Sequence, residues 1–405
     1  MIKITEKKRC CGCSACKNAC PVDAIEMKAD EEGFLYPNVD TKKCIQCGLC
    51  EKVCPVLNNE KYKKSEISPK AYIFRVNDKE TLRTSNSGGF FTPISEYVLK
   101  NNGVVFGVGY DKDFKVIHKM VEEKSKIKEL TGSKYVQSDI GDEFKKAKEY
   151  LIEGKLVLFS GTPCQIAGLK SFLVKNYENL ITVDVVCHGT PSPELWKEYI
   201  EYQEKKYKSK LKEARFRNKT YGYHSATMKL VFENNKEYYG SARVDYMLKG
   251  FYEGICSRPS CYDCAFKSRT HCSDFTIFDS WNINKLVPNL KDDNKGYTNV
   301  FVNSKRGLEL MNKLKGVTKY EVDDIDKMIK LDGKMVENCK IPNKNRKEFY
   351  RELNEKNYED VMNKFLKVTY KDYLLEKSKA ILYKLNIIKY VKKIKMCIKR
   401  EENGK

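Results

Sequence analysis

The stretch KLVLFSGTPCQIAGLKSFL, residues 155–173, joins a run of apolar residues through a short turn to a segment with helical apolar spacing. The stretch LITVDVVCHGTPSPELWKEYIEY, residues 180–202, repeats the order of strand, turn and helix. In this second unit Ser192 is placed to cap the helix and Pro193 to open it. Successive strand, helix and strand segments predict a parallel sheet, and such sheets bind ligands at the carboxyl edge of their strands.

Each unit carries a cysteine just after its strand, where the helix begins. These cysteines are Cys164 in the first unit and Cys187 in the second. A helix N-terminus lowers the pKa of a nearby thiol, which suits a metal ligand. The two could converge with the C-x2-C pair of Cys261 and Cys264 farther along the chain. The sequence therefore indicates a candidate metal site at the carboxyl edge of the sheet.

The cysteine-dense segment of residues 254–281 also allows other interpretations. Cys256 stands in a C-x4-C-x2-C spacing with that pair, which is the first part of a plant-type ferredoxin pattern, and Cys272 could complete a local set. Isolated cysteines are also often simply buried in a core. Spacing alone leaves these alternatives open.

The first 54 residues contain nine of the 17 cysteines. The blocks at residues 10–21 and 44–55 both read C-x2-C-x2-C-x3-C-P when Cys11 is set aside as a bystander. This run is typical of bacterial two-cluster ferredoxins, in which the fourth cysteine of each run binds the other cluster. Zinc knuckles space their cysteines differently, and disulfide frameworks suit small secreted chains. The spacing predicts two 4Fe-4S clusters, one held by Cys10, Cys13, Cys16 and Cys54 and the other by Cys44, Cys47, Cys50 and Cys20.

The chain has 405 residues and a formal net charge of +21, so the distribution of charge bears on its partners. Residues 1–57 hold nine basic and eight acidic side chains, whereas residues 366–405 hold 12 basic and four acidic ones. No zinc-finger, RNP-type or recognition-helix motif is present, and we expect no nucleic-acid partner. The sequence has no apolar run of about 18 residues, and its start, MIKITEKKRC, is too polar for a secretory signal. These features predict a cytoplasmic protein.

The basic end of the chain has an amphipathic pattern. Nine Lys or Arg lie between positions 377 and 400, and an apolar stripe runs through Ile381, Leu385, Ile388, Val391, Ile394 and Ile398. A helix of this kind can lie on an anionic membrane surface, or it can pack on its own domain with its lysines in solvent. Peripheral membrane contact is one of these two hypotheses.

Five motifs in the middle of the chain jointly resemble a known family. In order, they are SNSGGFFT (85–92), GSKYVQSD (132–139), FSGTPCQIAGLK (159–170), CHGTPSPELWKEY (187–199) and RPSCYDCAFK followed by SDFTIFDSW (258–281). Together they are similar to the beta subunits of coenzyme F420 hydrogenase and dehydrogenase, fused as usual behind a two-cluster ferredoxin. The resemblance covers about residues 70–285. One departure is FDSWN at residues 278–282, where relatives usually carry Gly-Asp-Phe-Trp-Gly.

The resemblance implies a flavoprotein that holds FAD and a third 4Fe-4S cluster. It implies cluster ligands at Cys164, Cys187, Cys261 and Cys264, which we prefer to sets that include Cys256 or Cys272. His188 is a candidate for relaying protons to a bound substrate. A Gly-Gly helix start and hydroxyl donors suit a pyrophosphate, and a lysine suits phosphate or an anionic flavin. The implied flavin contacts are Ser87, Gly88, Gly89, Thr92, Lys134, Tyr135, Gln137, Ser138 and Thr162.

The expected fold class is an α+β ferredoxin-like N-terminal domain followed by an α/β flavin-binding domain with a mostly helical C-terminal region. We expect a ferredoxin domain over residues 1–57 and a polar linker over 58–69. The flavin and iron–sulfur domain would span residues 70–285, and the helical region with its basic tail would span 286–405.

The resemblance implies an iron–sulfur flavoprotein oxidoreductase. Electrons would pass from the ferredoxin-type clusters through the third cluster to FAD, and then to coenzyme F420 or another small organic acceptor. The redox partner would be a ferredoxin or a hydrogenase or dehydrogenase subunit. Two alternatives stay open: a non-catalytic electron-transfer subunit of a larger hydrogenase or dehydrogenase complex, and a reductase acting in polysaccharide biosynthesis.

Overall fold

The structure is a computed structural model that describes residues 1–385. Its strands are β1 (Ile25–Ala29), β2 (Leu35–Val39), β3 (Lys70–Val76), β4 (Val104–Tyr110), β5 (Val116–Val121), β6 (Val157–Gly161), β7 (Leu180–Val185), β8 (Leu211–Asn218), β9 (Thr227–Phe232), β10 (Glu237–Ser241), β11 (Phe275–Ser280), β12 (Tyr297–Val302) and β13 (Val317–Val322).

Helices connect most of these strands and dominate the later part of the chain. They are α1 (Ala15–Asn18), α2 (Leu49–Lys52), α3 (Lys79–Thr84), α4 (Phe91–Lys100), α5 (Ile127–Leu130), α6 (Glu143–Ile152), α7 (Pro163–Leu173), α8 (Pro193–Tyr207), α9 (Tyr246–Glu253), α10 (Ile283–Leu286), α11 (Lys305–Lys313), α12 (Ile325–Asp332), α13 (Lys334–Glu337), α14 (Arg346–Glu355), α15 (Tyr358–Phe365) and α16 (Tyr370–Lys384).

The main sheet has eight strands in the order β13-β3-β12-β11-β7-β6-β4-β5. Its four central strands, β4, β6, β7 and β11, are parallel, which confirms the parallel sheet predicted from residues 155–202. The flanking strands pair antiparallel. Two of these flanking strands, β12 and β13, come from beyond residue 286, where the sequence pattern indicated mainly helices. The result is a mixed α/β sheet.

Side chains of β6 show how the sheet is buried on both faces. Val157 and Phe159 pack with α6 and α7 on one face, whereas Leu158 packs with α4 and α11 on the other. This alternation follows from the two-residue period of a strand. A strand that is covered on both faces is apolar at successive positions, which explains the consecutive apolar residues Val157, Leu158 and Phe159.

The turns after β6 and β7 place the cysteines at the carboxyl edge of the sheet. Helix α7 has Pro163 at its first position, so Cys164 lies in its first turn. Helix α8 is capped by Ser192, whose hydroxyl accepts a hydrogen bond from the Leu195 N–H at 3.2 Å, as the sequence predicted. Cys187 follows the end of β7 by two residues. Both thiols therefore stand where an α/β sheet binds ligands.

Two smaller sheets complete the fold. Strands β8, β9 and β10 form an antiparallel sheet. Strands β1 and β2 form an antiparallel hairpin in the cysteine-rich N-terminal segment. The hairpin lies between the two cysteine runs.

The N-terminal hairpin is docked on the rest of the protein. Phe34 is fully buried in the core formed around the three-stranded sheet, and its ring centroid lies 6.0 Å from that of Tyr350. Arg346 forms a two-point ion pair with Glu32, with one N–O distance of 2.8 Å, and both side chains are largely buried. An apolar side chain and a paired charge thus fix the hairpin in place.

The substitution Phe34→Ala should loosen this docking. Truncating a buried phenylalanine typically costs about 3–5 kcal/mol, because the cavity that it leaves is only partly refilled. We expect a lower denaturant midpoint and faster tryptic cleavage within residues 58–69, which contain Lys61, Lys63 and Lys64. Leu57→Ala is the matched control, since Leu57 is 66% exposed and should change neither measurement. Equal effects of the two substitutions would contradict the docking.

Candidate functional site

The second predicted ferredoxin set is gathered in one pocket. Cys20, Cys44, Cys47 and Cys50 all line it, so the fourth cysteine of the first run lies with the first three of the second. Cys47 is solvent-exposed, which places this set at the protein surface.

The first predicted set is more buried. Burial raises the pKa of Cys16 to about 12, and the neighbouring thiolates of Cys10 and Cys54 add to this rise. A hydrogen bond with Cys11 acts to lower the pKa of Cys13, but burial and the proximity of Cys16 and Cys54 outweigh it, so this pKa is also raised. A cationic metal centre binds the thiolate form, so it would have to displace the protons of these thiols, and its positive charge would offset the mutual repulsion of the thiolates. The structure brings all four residues of this set together.

A cavity of about 340 Å³, here called the inner cavity, lies at the carboxyl edge of the main sheet. The expectation that a helix N-terminus lowers the pKa of Cys187 is wrong, because burial raises this pKa to about 12, and Cys261 and Cys164 contribute to the rise. The cysteines that line the inner cavity are Cys11, Cys164, Cys187, Cys261 and Cys264. The structure thus brings together the four predicted ligands of the third cluster.

The competing cysteines lie outside the described lining of the inner cavity. Cys256 is 1% exposed and packs in the core around the three-stranded sheet. Cys272 packs against the apolar cluster beside α7 and also against a small apolar cluster that Cys164 and Cys264 contact. Within residues 1–385, no three cysteine, histidine or acidic side chains are close enough to hold a single ion.

Cys11, which the sequence pattern sets aside as a bystander, lines the inner cavity together with Cys164. A hydrogen bond with Cys13 is the largest cause that raises its pKa well above the usual range, and Cys164 hydrogen-bonds the same thiol. Cys11 therefore connects a predicted ligand of the first ferredoxin cluster with a predicted ligand of the third. Sequence spacing missed this role because the contact joins segments about 150 residues apart.

Gly168 of α7 allows the first cysteine loop to approach this helix closely. A Cβ atom at position 168 would lie 2.9 Å from Cβ and 3.0 Å from Sγ of Cys13. Cys164 stands four residues earlier on the same helix, and residues i and i+4 share a face. Helix α7 thus holds both predicted cluster sites on one side.

A second cavity of about 460 Å³, here called the large cavity, adjoins the inner one. Its volume is in the range of pockets for cofactors and other organic ligands. Most of the predicted flavin contacts line it. They are Ser87, Gly89, Thr92, Lys134, Tyr135, Ser138 and Thr162, joined by His188.

Gly88 and Gln137 are the predicted flavin contacts that lie outside the described lining of the large cavity. The Gly88 N–H donates to Oγ1 of Thr298 at 2.8 Å, and a Cβ there would lie 2.2 Å from the Phe74 carbonyl oxygen. Gln137 extends toward the first cysteine loop, where its Nε2 donates to the Gly12 carbonyl at 3.3 Å. Gly88 is required because it packs closely against the Phe74 backbone. Gln137 instead contacts the N-terminal cysteine loop.

Lys134 and His188 have distinct electrostatic settings in the large cavity. Burial lowers the pKa of Lys134 to about 7, although its ammonium donates to the carbonyls of Val108, Glu129 and Thr131 at 2.8–3.3 Å. Burial lowers the pKa of His188 to about 4, and the charge of Lys267 adds to this effect. His188 is therefore neutral at physiological pH, and its role as a proton relay stays a prediction.

Sequence reasoning missed several residues of the large cavity. Arg217 lines it and pairs with Asp279, and its guanidinium lies 5.0 Å from the ring centroid of Trp281. The Phe251 ring stacks on Tyr135 with centroids 4.2 Å apart and an interplanar angle of 7°. These residues follow the Gly-rich motifs by many positions, and only the retained Asp279 and Trp281 offered a signal.

The two cavities share a wall. Cys187, Gly189 and Thr190 line both of them. Thr162 also lines the large cavity, and its Oγ1 lies 3.1 Å from Sγ of Cys164. A group in the inner cavity would therefore contact the same residues as a ligand in the large one.

Within residues 1–385 no helix has both the length and the apolar character needed to cross a membrane. Ile381 and Leu385 are the two members of the basic tail's apolar stripe that are described, and they are 56% and 60% exposed. The rest of the stripe, Ile388, Val391, Ile394 and Ile398, lies outside the described residues. The membrane hypothesis stays a prediction.

Comparison with known proteins identifies two parts of the chain. Residues 154–328 match the family model for the C terminus of the coenzyme F420 hydrogenase/dehydrogenase beta subunit. Residues 9–58 and 40–96 each match a 4Fe-4S dicluster domain. A solved chain of the F420-reducing NiFe hydrogenase complex from Methanosarcina barkeri aligns at 18% identity and a TM-score of 0.44, over 72% of this chain and 93% of that chain. No curated protein matches the chain.

The gathered cysteines and the dicluster match define an iron–sulfur protein of the electron-transfer class. More particularly, residues 154–328 match the C-terminal domain of the coenzyme F420 hydrogenase/dehydrogenase beta-subunit family, and a match to a 4Fe-4S dicluster domain precedes them. This assignment confirms the resemblance found in the sequence motifs.

The substitution Gly168→Ala tests the contact between α7 and the first cysteine loop. The added methyl group would collide with Cys13, so we expect the loss of about four irons per chain, equal to one cubane. Anaerobic iron and sulfide quantification measures this loss. Ser171→Ala, on the same helix, adds no atoms and should leave the iron content unchanged. Full iron content in Gly168→Ala would show that the contact is not required.

Proposed function

We propose that this protein is an iron–sulfur flavoprotein oxidoreductase. It transfers electrons between its two ferredoxin-type 4Fe-4S clusters and FAD through a third 4Fe-4S cluster, and FAD reduces a small organic acceptor such as coenzyme F420. Its redox partner is a ferredoxin or a hydrogenase or dehydrogenase subunit. The observation that carries the proposal is the wall of Cys187, Gly189 and Thr190 shared by the two cavities.

The residues of the chain fit these cofactors by their chemistry. Clusters supply one-electron transfer, and a flavin couples it to two-electron hydride transfer. Gly89 and Thr92 line the large cavity beside the start of α4, and a helix N-terminus suits a pyrophosphate. The stacked rings of Phe251 and Tyr135 offer a flat aromatic wall for a planar ring system. His188 lines the same cavity and is the candidate for relaying a proton to the bound acceptor.

Iron content distinguishes the proposed ligand set from its competitors. We expect about twelve irons per chain in anaerobically purified protein, because three cubanes hold four each. Cys187→Ala should reduce this to about eight, since Cys187 lines the inner cavity. Cys256→Ala is the matched control and should retain about twelve. About eight irons in the unmodified protein, or iron loss only in Cys256→Ala, would contradict the third cluster proposed here.

The flavin site can be tested separately from the clusters. Thr92→Phe places a ring in the large cavity and should reduce bound FAD at least about tenfold, because the pocket would lose the volume that the cofactor needs. Thr41→Phe makes the same change at an exposed position and should bind FAD normally. Flavin release followed by fluorescence quantification measures both. Equal FAD content in the two variants would contradict the assignment of the large cavity.

A further inference from the structure

Arg258 is a buried cation at the junction between the first ferredoxin site and the inner cavity. Its side chain is 1% exposed. Its Nε donates to the Cys10 carbonyl at 2.8 Å, and its Nη1 donates to Oε1 of Gln137 at 2.9 Å. The guanidinium also lies 4.0 Å from the ring centroid of Tyr36. All of these partners are neutral.

No carboxylate among residues 1–385 forms an ion pair with Arg258, and its Nη2 has no hydrogen-bond partner there. The other largely buried arginines are paired: Arg217 with Asp279, and Arg346 with Glu32. Burying a guanidinium without a counter-charge is strongly unfavourable. The buried guanidinium of Arg258 therefore needs a negatively charged neighbour that is not a carboxylate.

Arg258 touches both predicted cluster sites. Its side chain binds the carbonyl of Cys10, a predicted ligand of the first ferredoxin cluster. Its own carbonyl accepts from the Cys261 N–H at 2.9 Å, and its N–H donates to the Thr190 carbonyl at 2.9 Å. Burial raises the pKa of Cys261, and the charge of Arg258 acts against that rise. The same charge acts on Cys164, whose pKa is raised most by a hydrogen bond with Cys11.

We propose that Arg258 is the shared counter-charge of the first ferredoxin cluster and the third cluster, and that it raises the reduction potentials of both. This inference rests on the proposed function and adds the residue that tunes it. A cubane held by four thiolates is an anion, and an added electron makes it more negative, so a nearby cation stabilises the reduced form. A single cation between two clusters shifts their potentials together. The difference between the two reduction potentials, which drives electron transfer between the clusters, then changes little.

The test is an EPR-monitored redox titration of the anaerobic holoprotein. Arg258→Met removes the charge, and we expect the midpoint potentials of the first and third clusters to become more negative. The second cluster, with its exposed Cys47, is the internal reference and should not shift. Arg258→Lys keeps the charge and should restore most of both potentials. Arg258→Gln keeps a donor for the Cys10 carbonyl and is used if Arg258→Met fails to retain its iron.

The matched control is Arg346→Met, which removes another buried arginine that docks the N-terminal segment through Glu32. It should leave all three potentials unchanged, because loosened docking alone does not alter the charge at the clusters. Equal shifts in Arg346→Met and Arg258→Met, or no shift in Arg258→Met, would overturn the inference. Iron quantification separates this from failure of the proposed function. Twelve irons with unshifted potentials refute only the role of Arg258, whereas about eight irons in the unmodified protein refute the third cluster.

Discussion

The contact of Cys13 with Gly168 is the constraint on which the rest of the arrangement depends. No side chain larger than hydrogen fits at position 168 without displacing Cys13. Because Cys164 lies one turn earlier on α7, the contact places the first cysteine loop and the inner cavity on one face of one helix. The separation of the two sites is therefore set by a rigid element and not by the linker between the segments. Rigid spacing suits electron transfer, which depends steeply on distance.

Docking of the N-terminal segment uses several independent interactions, which explains how so small a piece is held firmly. Phe34 enters the core of the neighbouring sheet, and Glu32 pairs with Arg346. Gln137 donates to the Gly12 carbonyl, which lies in the cysteine loop itself. Gly12 has a φ of +70°, and a Cβ there would collide with Gln137. Glycines at positions 12 and 168 are thus required by docking as well as by local backbone conformation.

Sequence patterns predicted those structural features that depend on residues close to one another in the chain. The apolar run of β6, the capping Ser192 and the repeated cysteine spacing each specify structure within a few residues, and the structure contains them. The contacts of Cys11 and Gln137 could not be predicted from local patterns, because they join segments more than 120 residues apart. Strand β12 was missed for a related reason. Its polar Asn299 interrupts an apolar run, yet it is buried and donates to the Asp279 carbonyl at 3.0 Å.

The buried thiols and the basic side chains beside them link the docking of the N-terminal segment to metal binding. Thiols such as Cys16 and Cys187 have pKa values raised by burial, so without metal they hold protons and stay neutral. Arg258 Nε donates to the Cys10 carbonyl at 2.8 Å, and Lys267 Nζ donates to the Cys187 carbonyl at 2.5 Å, so both basic side chains lie beside predicted cluster ligands. A cluster bound at the proposed sites would replace the thiol protons and place negative charge beside these two basic side chains. The placement of cations, the docking of the N-terminal segment and metal binding therefore depend on one another. The burial of Arg258 is explained only when all three are considered together.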